Sequence, residues 1–510
     1  MSLMNTAGGP RSRVTYALMM LGIGFMCFLF ALLSVSGSPI LIGLGVSMLA
    51  GPVLLFMPVT MVWIVLVVGF MFGILSASPQ LAKIGWGVSV LSMLLMGPAL
   101  INIMWSKKDR LPGFLVIAWI FMIFAVLESF AQWYSVGEFV AGYKRCFQAF
   151  GLMMALATLH FTPATFVRWR KFMLFVALMQ LPFALFEMIV LVPMRHSSSS
   201  DATDVIAGTF GANLEGGSPN AVMVIFIFIA VAFLTARWRE GLLKDSRYFL
   251  LALFCALPLV LGETKVAVFM VPIVGGILLW DDFLRAPLRY LPALVMVALL
   301  TVGLCYVYVV FIIHSNFTDV MAATNRYNFG SQGYSAGQYL NRTTVLSFWL
   351  HGQSWSDPMS FLIGNGLGSS YTAVDPAAVS GHLGQKFFKF GINLTAASTL
   401  LWDTGIIGLG LFTSMFIAAW FAARKLRRVV TDPAVRADAL AIQAAIALFA
   451  LYLNYSDSIV NLLSLELIYA VVLGYLAYLM KVHGLLAKSP TADQIPVPRP
   501  RIAPYQARRT

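Results

Sequence analysis

Apolar runs of about the length needed to cross a lipid bilayer follow one another along most of this chain. Of its 510 residues, 60% are hydrophobic and 11% are charged, with a mean hydropathy of +0.84. A soluble domain usually carries about 25% charged residues, and a transmembrane helix needs about 20 apolar residues. The sequence therefore predicts an all-α, polytopic integral membrane protein.

We predict about 14 transmembrane helices joined mostly by short loops. The first apolar run lacks a small-residue cleavage site, so we expect a retained span rather than a signal peptide. The ninth and tenth spans are short, and the sequence GETK lies between them. The predicted spans cover 16–35, 39–57, 58–77, 84–104, 112–131, 146–161, 172–194, 219–236, 248–262, 265–280, 291–313, 398–420, 438–454 and 460–480.

Basic residues predict the orientation of these spans. With the N-terminus in the cytoplasm, 25 of the 34 Lys and Arg residues fall inside and 9 fall outside. Cytoplasmic loops of membrane proteins are enriched in Lys and Arg, so we expect both termini to be cytoplasmic. The basic cytoplasmic loops then account for the net charge of +13, so we predict no nucleic acid partner. The four cysteines form no CxxC pair, and we predict neither a metal site nor a cofactor.

The predicted organisation has five parts. Residues 1–194 form N-terminal helices, and residues 195–313 form central helices with the GTF and GETK segments. One large periplasmic loop, 314–397, separates spans eleven and twelve. The C-terminal helices cover 398–482, and a disordered basic cytoplasmic tail covers 483–510.

The large loop combines many aromatic side chains with amides. Such a mixture suits a sugar, because its C–H faces pack on rings while its hydroxyls need donors and acceptors. The alternative is an outer cap whose aromatics fill its own core. Within the loop, NRTTVLSFWLHG has helical spacing, and FLIGNGLGSS is typical of a tight turn. Candidate binding residues here are Tyr339, Asn341, Trp349 and Asn393.

Further polar groups sit at predicted outer helix ends. They comprise Asn220 at the start of span eight, the pair Lys144 and Arg145, and Asp457 in NYSDS. Glu128 and Glu187 lie in or near apolar spans, where a carboxylate is a functional candidate by default. For Asp457, a hydrogen-bonded structural turn is the alternative interpretation.

Five segments in sequence resemble the superfamily of bacterial O-antigen ligases and Wzy-type polysaccharide polymerases. They are GTFGANLEGGSPNAV, GETKVAVF, NRTTVLSFW, FLIGNGLGSS and NLTAASTLLWDTGIIGLGLF, within about residues 205–415. The resemblance implies glycosyl transfer at the outer face of a bacterial inner membrane, without a metal. The donor would be a glycan on a polyprenyl diphosphate, and the acceptor a hydroxyl of another glycan or of the lipid A core. Membrane lipids and other polysaccharide assembly proteins are candidate partners.

The resemblance assigns roles to particular residues. Arg342 and Lys265 would neutralise the diphosphate, and Glu263 would hold Lys265 or act as a base. A Glu–Lys pair that merely satisfies itself is the alternative for GETK. Lys265 stands where relatives often carry Arg. The ligases carry a His in a register that here falls on Asn393 or Leu394. The nearest His is His382, which is a candidate catalytic residue that could reach the site from the loop, with an ordinary solvated loop side chain as the alternative. This difference favours a polymerase, with ligase, flippase and structural subunit as alternatives.

Overall fold

The structure, a computed structural model, describes ten stretches of the chain and a few isolated positions. The stretches are 56–73, 84–105, 110–195, 205–214, 219–262, 266–286, 316–330, 340–353, 357–373 and 379–486, and the isolated positions are 31, 45 and several between 288 and 310. Within these stretches the regular structure is helical, and no strand is formed. The predicted all-α class is thus confirmed for the described chain.

Eighteen α-helices account for most of the described residues. They are α1 (Pro58–Met71), α2 (Ile84–Leu94), α3 (Met96–Trp105), α4 (Gly113–Ala131), α5 (Val136–Phe147), α6 (Phe150–Thr158), α7 (Pro163–Phe186), α8 (Asn220–Arg239), α9 (Asp245–Leu261), α10 (Ala267–Arg285), α11 (Phe317–Phe329), α12 (Thr344–Gly352), α13 (Pro358–Ile363), α14 (His382–Lys386), α15 (Ala396–Val429), α16 (Pro433–Tyr455), α17 (Ser458–Asn461) and α18 (Leu463–Val482). A π-helical turn, Glu187–Leu191, extends α7.

Seven described helical segments are long and apolar enough to cross a membrane. They are Gly85–Trp105, Gly113–Ala131, Pro163–Met194, Asn220–Arg239, Ala396–Val429, Pro433–Tyr455 and Leu463–Val482. They match predicted spans four, five, seven, eight, twelve, thirteen and fourteen, which supports a multi-pass membrane protein. Shorter apolar helices occupy predicted spans three and ten, at Pro58–Met71 and Ala267–Trp280. Spans one and two and most of span eleven lie outside the described residues.

The predicted sixth span differs in the structure. Instead of one helix over 146–161, α5 ends at Phe147 and the nine-residue α6 begins at Phe150. Gln148 lies at the break and its amide nitrogen donates to Glu466 Oε1 at 2.9 Å. A charged end on α5 and this buried polar contact explain why a continuous apolar helix does not form here.

The core lies around α16 and α18. Helix α16 packs against α8, α10, α15 and α18, and α18 packs against α6. All nine residues of α6 are buried, which is expected for a short helix enclosed by its neighbours. These contacts place the end of α5 and the connection between α16 and α18 at one end of the bundle, which we call the loop end.

A kink in α15 joins this bundle to the large loop. Gly405 has φ +66° and ψ −169°, so the helix is interrupted there. The interruption leaves the carbonyls of Trp402 and Asp403 without regular helical donors. The amide of Asn365 donates to Trp402 O at 3.0 Å, and that of Gly366 donates to Asp403 O at 3.1 Å. The Gly-rich turn is thereby attached to α15 by its backbone.

Candidate active site

Helix α5 organises the loop end through one of its faces. The hydroxyl of Ser135 accepts a hydrogen bond from the amide of Glu138 at 3.2 Å and so caps the helix. Glu138, Gly142 and Arg145 are spaced so that they share a face. A Cβ on Gly142 would lie 2.4 Å from the carbonyl carbon of Leu367. The helix backbone therefore lies directly against the Gly-rich turn.

A small polar pocket lies between α5, this turn and the connection from α16 to α17. Arg145, Asn393 and Asp457 line it together with Tyr371 and Asp403. Its volume is about 20 Å³, which is room for about one water molecule. The guanidinium carbon of Arg145 lies 3.0 Å from the centroid of the Tyr371 ring. Three residues predicted to bind substrate thus share one pocket, although they are far apart in sequence.

Burial and opposite charges compete within this pocket. Burial lowers the pKa of Arg145, while Tyr371, Asp403 and Asp457 favour its cationic form. Burial also raises the pKa of Asp457 to about 6, and the amide of Asn461 donates to its Oδ2 at 2.8 Å. At neutral pH the pocket therefore holds a guanidinium and a carboxylate that share little water.

Arg342 contacts the same connection through Tyr455. Its Nε donates to the carbonyl oxygen of Tyr455 at 2.8 Å, and its guanidinium carbon lies 4.5 Å from the centroid of the Tyr455 ring. The carbonyl of Ser456 accepts from the amide of Ala396 at 3.1 Å, which holds the start of α15. Residues 455–457 therefore link Arg342 to the pocket of Arg145.

Asp403 holds the Gly-rich turn in place. Its Oδ2 accepts from the amide of Gly368 at 2.9 Å, and its Oδ1 accepts from the amide of Ser370 at 2.8 Å and the hydroxyl of Ser369 at 2.9 Å. The side chain is buried, so these three donors replace its hydration. Asp403 lines the pocket, but its oxygens are engaged by the turn.

Two further buried carboxylates act in the same way. Glu128 Oε1 accepts from the amide of Gly366 at 2.6 Å. Glu187 Oε2 accepts from the amides of Ala207 and Gly208 at 2.9 and 2.7 Å, beside the GTF segment. An intramembrane carboxylate was a functional candidate by default in the sequence. In the structure, each carboxylate attaches a loop segment to a helix.

His382 pairs with a residue that sequence analysis did not single out. Its Nδ1 lies 2.9 Å from Glu138 Oε1, and its backbone amide donates to Glu138 Oε2 at 2.9 Å. The imidazole stacks on Tyr134 with ring centroids 4.4 Å apart. His382 does not line the pocket of Arg145. These contacts fix α14 to the first turn of α5, and a role in catalysis stays a prediction.

Lys144 faces away from its neighbour Arg145. Its Nζ lies 4.6 Å from the centroid of the Trp86 ring. Burial lowers its pKa to about 8, and the charge of Glu466 opposes this shift. The predicted basic pair therefore divides, with one cation in the polar pocket and the other beside α2 and α18.

Two predicted loop residues are used within the protein. Asn341 is buried, and its Oδ1 accepts from the amides of Thr343 and Thr344 at 3.1 and 2.8 Å. The indole of Trp349 stacks on Phe361 and donates to the carbonyl of Leu401 at 3.1 Å. The predicted helix over this segment is confirmed as α12. These aromatics pack in the loop's own core, in line with the alternative interpretation of the loop.

The GETK segment lies between α9 and α10, and Glu263 and Lys265 are outside the described residues. Asn220 reaches the edge of this segment, because its Nδ2 donates to the carbonyl of Gly262 at 2.6 Å. Asn220 is also the first residue of α8, as predicted. Tyr339 lies outside the described residues as well.

Glu138 and Tyr371 were missed as parts of the site. The pattern Ser135-x-x-Glu138 is a helix start signal that would have predicted a helix from residue 136. Tyr371 has no such local signal, because its place over Arg145 depends on the path of the turn.

No protein-family model matches this chain, and no curated protein is detectably similar to it. What the fold and the site define is the class of a multi-pass helical membrane protein with a polar pocket at its loop end. The resemblance to polysaccharide ligases and polymerases stays a prediction from the five sequence segments.

Proposed function

We propose that this protein polymerises lipid-linked polysaccharide repeat units, such as those of an exopolysaccharide, capsule or O-antigen. It would transfer a glycan from a polyprenyl diphosphate carrier to an acceptor hydroxyl at the periplasmic face of a bacterial inner membrane. The observation that carries the proposal is the approach of two arginines, Arg145 and Arg342, to one connection at the loop end.

The chemistry needs positive charge where the leaving group departs. The bond between the anomeric carbon and the diphosphate oxygen breaks, and the acceptor oxygen forms the new bond to that carbon. The diphosphate leaves with the negative charge, which a guanidinium can bind through two parallel N–H donors. Arg145 and Arg342 would supply these donors, and Lys265 would add a third cation from the GETK segment.

The acceptor hydroxyl also has to lose its proton. Asp457 lies in the pocket with Arg145, and the pKa of about 6 leaves its carboxylate ionised at neutral pH. A base with a pKa near the working pH is well suited to accept this proton. Glu263 is the other predicted candidate for this role.

Substrate would have to open the pocket. A volume of about 20 Å³ cannot hold a diphosphate, and the Tyr371 ring covers the guanidinium of Arg145. Tyr371 follows the glycines of the turn, and its side chain is only partly buried. We propose that the donor displaces Tyr371 and that the ring then packs on a sugar.

The test replaces each arginine in the native host and examines both the lipid-linked and the surface glycans on gels. Arg145→Ala and Arg342→Ala should each reduce the amount of long polysaccharide chains at least about 100-fold. Removal of other hydrogen-bond donors that stabilise developing negative charge has an effect of this size. Single repeat units should still reach the surface. Arg326→Ala is the matched control, because Arg326 is an exposed arginine of the same loop.

The outcomes separate the candidate functions, provided that membrane insertion of each variant is equal. Long lipid-linked chains that never reach lipid A would identify a ligase. Repeat units retained on the cytoplasmic face would identify a flippase. Glycans unchanged in both arginine variants would reject the proposed site.

A further inference from the structure

A large cavity lies at the opposite end of the bundle from the polar pocket. Helices α10, α15 and α16 enclose it where α15 ends and α16 begins, and its volume is about 950 Å³. In the predicted orientation this is the cytoplasmic side of the membrane. The residues that line it are Gly276, Ile277, Trp280, Trp420, Arg424, Arg427, Arg428, Val430, Thr431, Arg436 and Gln443.

Four of the lining residues are arginines, three from the last turns of α15 and one from the first turn of α16. None of the described residues that line the cavity is a carboxylate. Arg436 also lies 3.7 Å from Glu240, but its side chain stays 47% exposed. Arg424 and Arg428 are exposed. The C-terminal end of a helix carries partial negative charge, which stabilises the positive charge of these two arginines near the end of α15.

Neutral groups complete the lining. Gln443 is only 4% exposed and lines the cavity. A side-chain amide both donates and accepts hydrogen bonds, so it suits a ligand with hydrogen-bonding oxygens. Trp280 and Trp420 flank the arginines, and Trp280 is 56% exposed. Tryptophan is enriched at the level of lipid headgroups.

We propose that this cavity binds the phosphodiester headgroup of an anionic phospholipid. Arginine forks match phosphate oxygens, and Gln443 would bind a glycerol hydroxyl or a phosphate oxygen. Basic cavities between helices near a membrane surface are suited to such headgroups. The apolar Ile277 and the two indoles favour a lipid over a soluble anion, because they offer packing surface to the acyl glycerol region. The site is separate from the polar pocket and does not depend on the proposed transferase.

The test measures lipid binding by the full-length protein in detergent with native mass spectrometry. Phosphatidylglycerol should bind more tightly than phosphatidylcholine, which has the same phosphodiester but a compensating cation. The double substitution Arg424→Gln and Arg428→Gln should weaken phosphatidylglycerol binding about 30-fold, since each basic residue at a membrane surface contributes roughly fivefold. The matched control is Arg168→Gln with Arg247→Gln, two exposed arginines on the same predicted face. It should change binding less than about fourfold.

A second measurement uses the unaltered protein and so does not depend on how the variants fold. Photoreactive phosphatidylglycerol should label residues 276–280 or 420–436. An equal loss of binding in both double variants, or a label that maps elsewhere, would overturn the proposal. Complete displacement of the lipid by millimolar sn-glycerol 1-phosphate would instead identify the ligand of the cavity as a soluble anion and would overturn the proposal of a lipid ligand.

Discussion

The two ends of this bundle surround an aspartate in opposite ways. At the end opposite the large loop, Asp438 is 2% exposed and fully paired. Arg237 binds both of its oxygens, at 2.8 and 2.7 Å, the hydroxyl of Tyr475 donates at 2.7 Å, and Arg170 lies 3.5 Å away. Every partner comes from a different helix, so this network ties α7, α8, α16 and α18 together.

At the loop end, Asp457 has weaker compensation. Asn461 donates to it at 2.8 Å, and Arg145 faces it across a pocket instead of forming a close ion pair. Burial then raises its pKa to about 6, which shows that its environment disfavours the charge. A fully paired carboxylate is suited to holding helices together. A poorly compensated one beside a cation is a candidate for chemistry.

The largest effect on stability is expected for the substitution of Asp403. Asp403→Ala would leave three donors of the Gly-rich turn without their acceptor in a buried place. Each unsatisfied donor costs about 1–3 kcal/mol, so we expect a loss of more than about 3 kcal/mol in the free energy of unfolding. Thermal unfolding in detergent and limited proteolysis near residue 371 would measure it.

Asp357→Ala is the control for Asp403, because Asp357 is an exposed aspartate that caps α13 in the same loop. It should destabilise the protein much less. Equal effects of the two substitutions would contradict the anchoring role of Asp403.

A smaller effect is expected at Asp438. Asp438→Asn would leave Arg237 partly buried without its partner and should cost about 2–3 kcal/mol, less than a fully buried pair because Arg170 and Arg237 retain some solvent contact. Glycan transfer per folded molecule should not change. Chemical or thermal unfolding and an activity assay normalised to folded protein would test both parts. A loss of activity without a loss of stability would break the comparison between the two ends.

The smallest effect on stability is expected at Asp457, where the sign reverses. Its pKa is raised from 3.8 to about 6 in the folded protein, so ionisation lowers stability as the pH rises from about 4 to 6. Asp457→Asn removes this titration, and the variant should be at least as stable as the unaltered protein at pH 7. At pH 4 the two proteins should unfold at similar temperatures.

Activity should respond to Asp457 in the other direction. If its carboxylate accepts the proton, transfer by the unaltered protein falls as the pH drops through about 6. The Asp457→Asn variant should have low activity, and this activity should not fall further as the pH drops through about 6. A pH profile of glycan transfer in membrane vesicles measures this, and an identical acid limb in both proteins would remove Asp457 from the mechanism.

Helix positions could be predicted from the sequence wherever one residue type decides the structure. Apolar runs place α4, α8, α16 and α18, because hydrophobic length alone specifies a spanning helix. The helix at residues 344–352 and the start at Asn220 also follow from local spacing and from Pro219. The prediction of one continuous helix for the sixth span was wrong, because a charged amphipathic helix, α5, precedes a short buried helix, α6.

By itself, the sequence determined that this chain is a helical membrane protein and which polar residues are candidates at the ends of its helices. The tertiary structure alone decided how each candidate is used. It separates Lys144 from Arg145 and pairs His382 with Glu138. It also packs Trp349 in the core of the loop, where its indole donates to a backbone carbonyl. The physical reason is that hydropathy is a property of local segments, whereas the compensation of a charge depends on partners that are far apart in the chain.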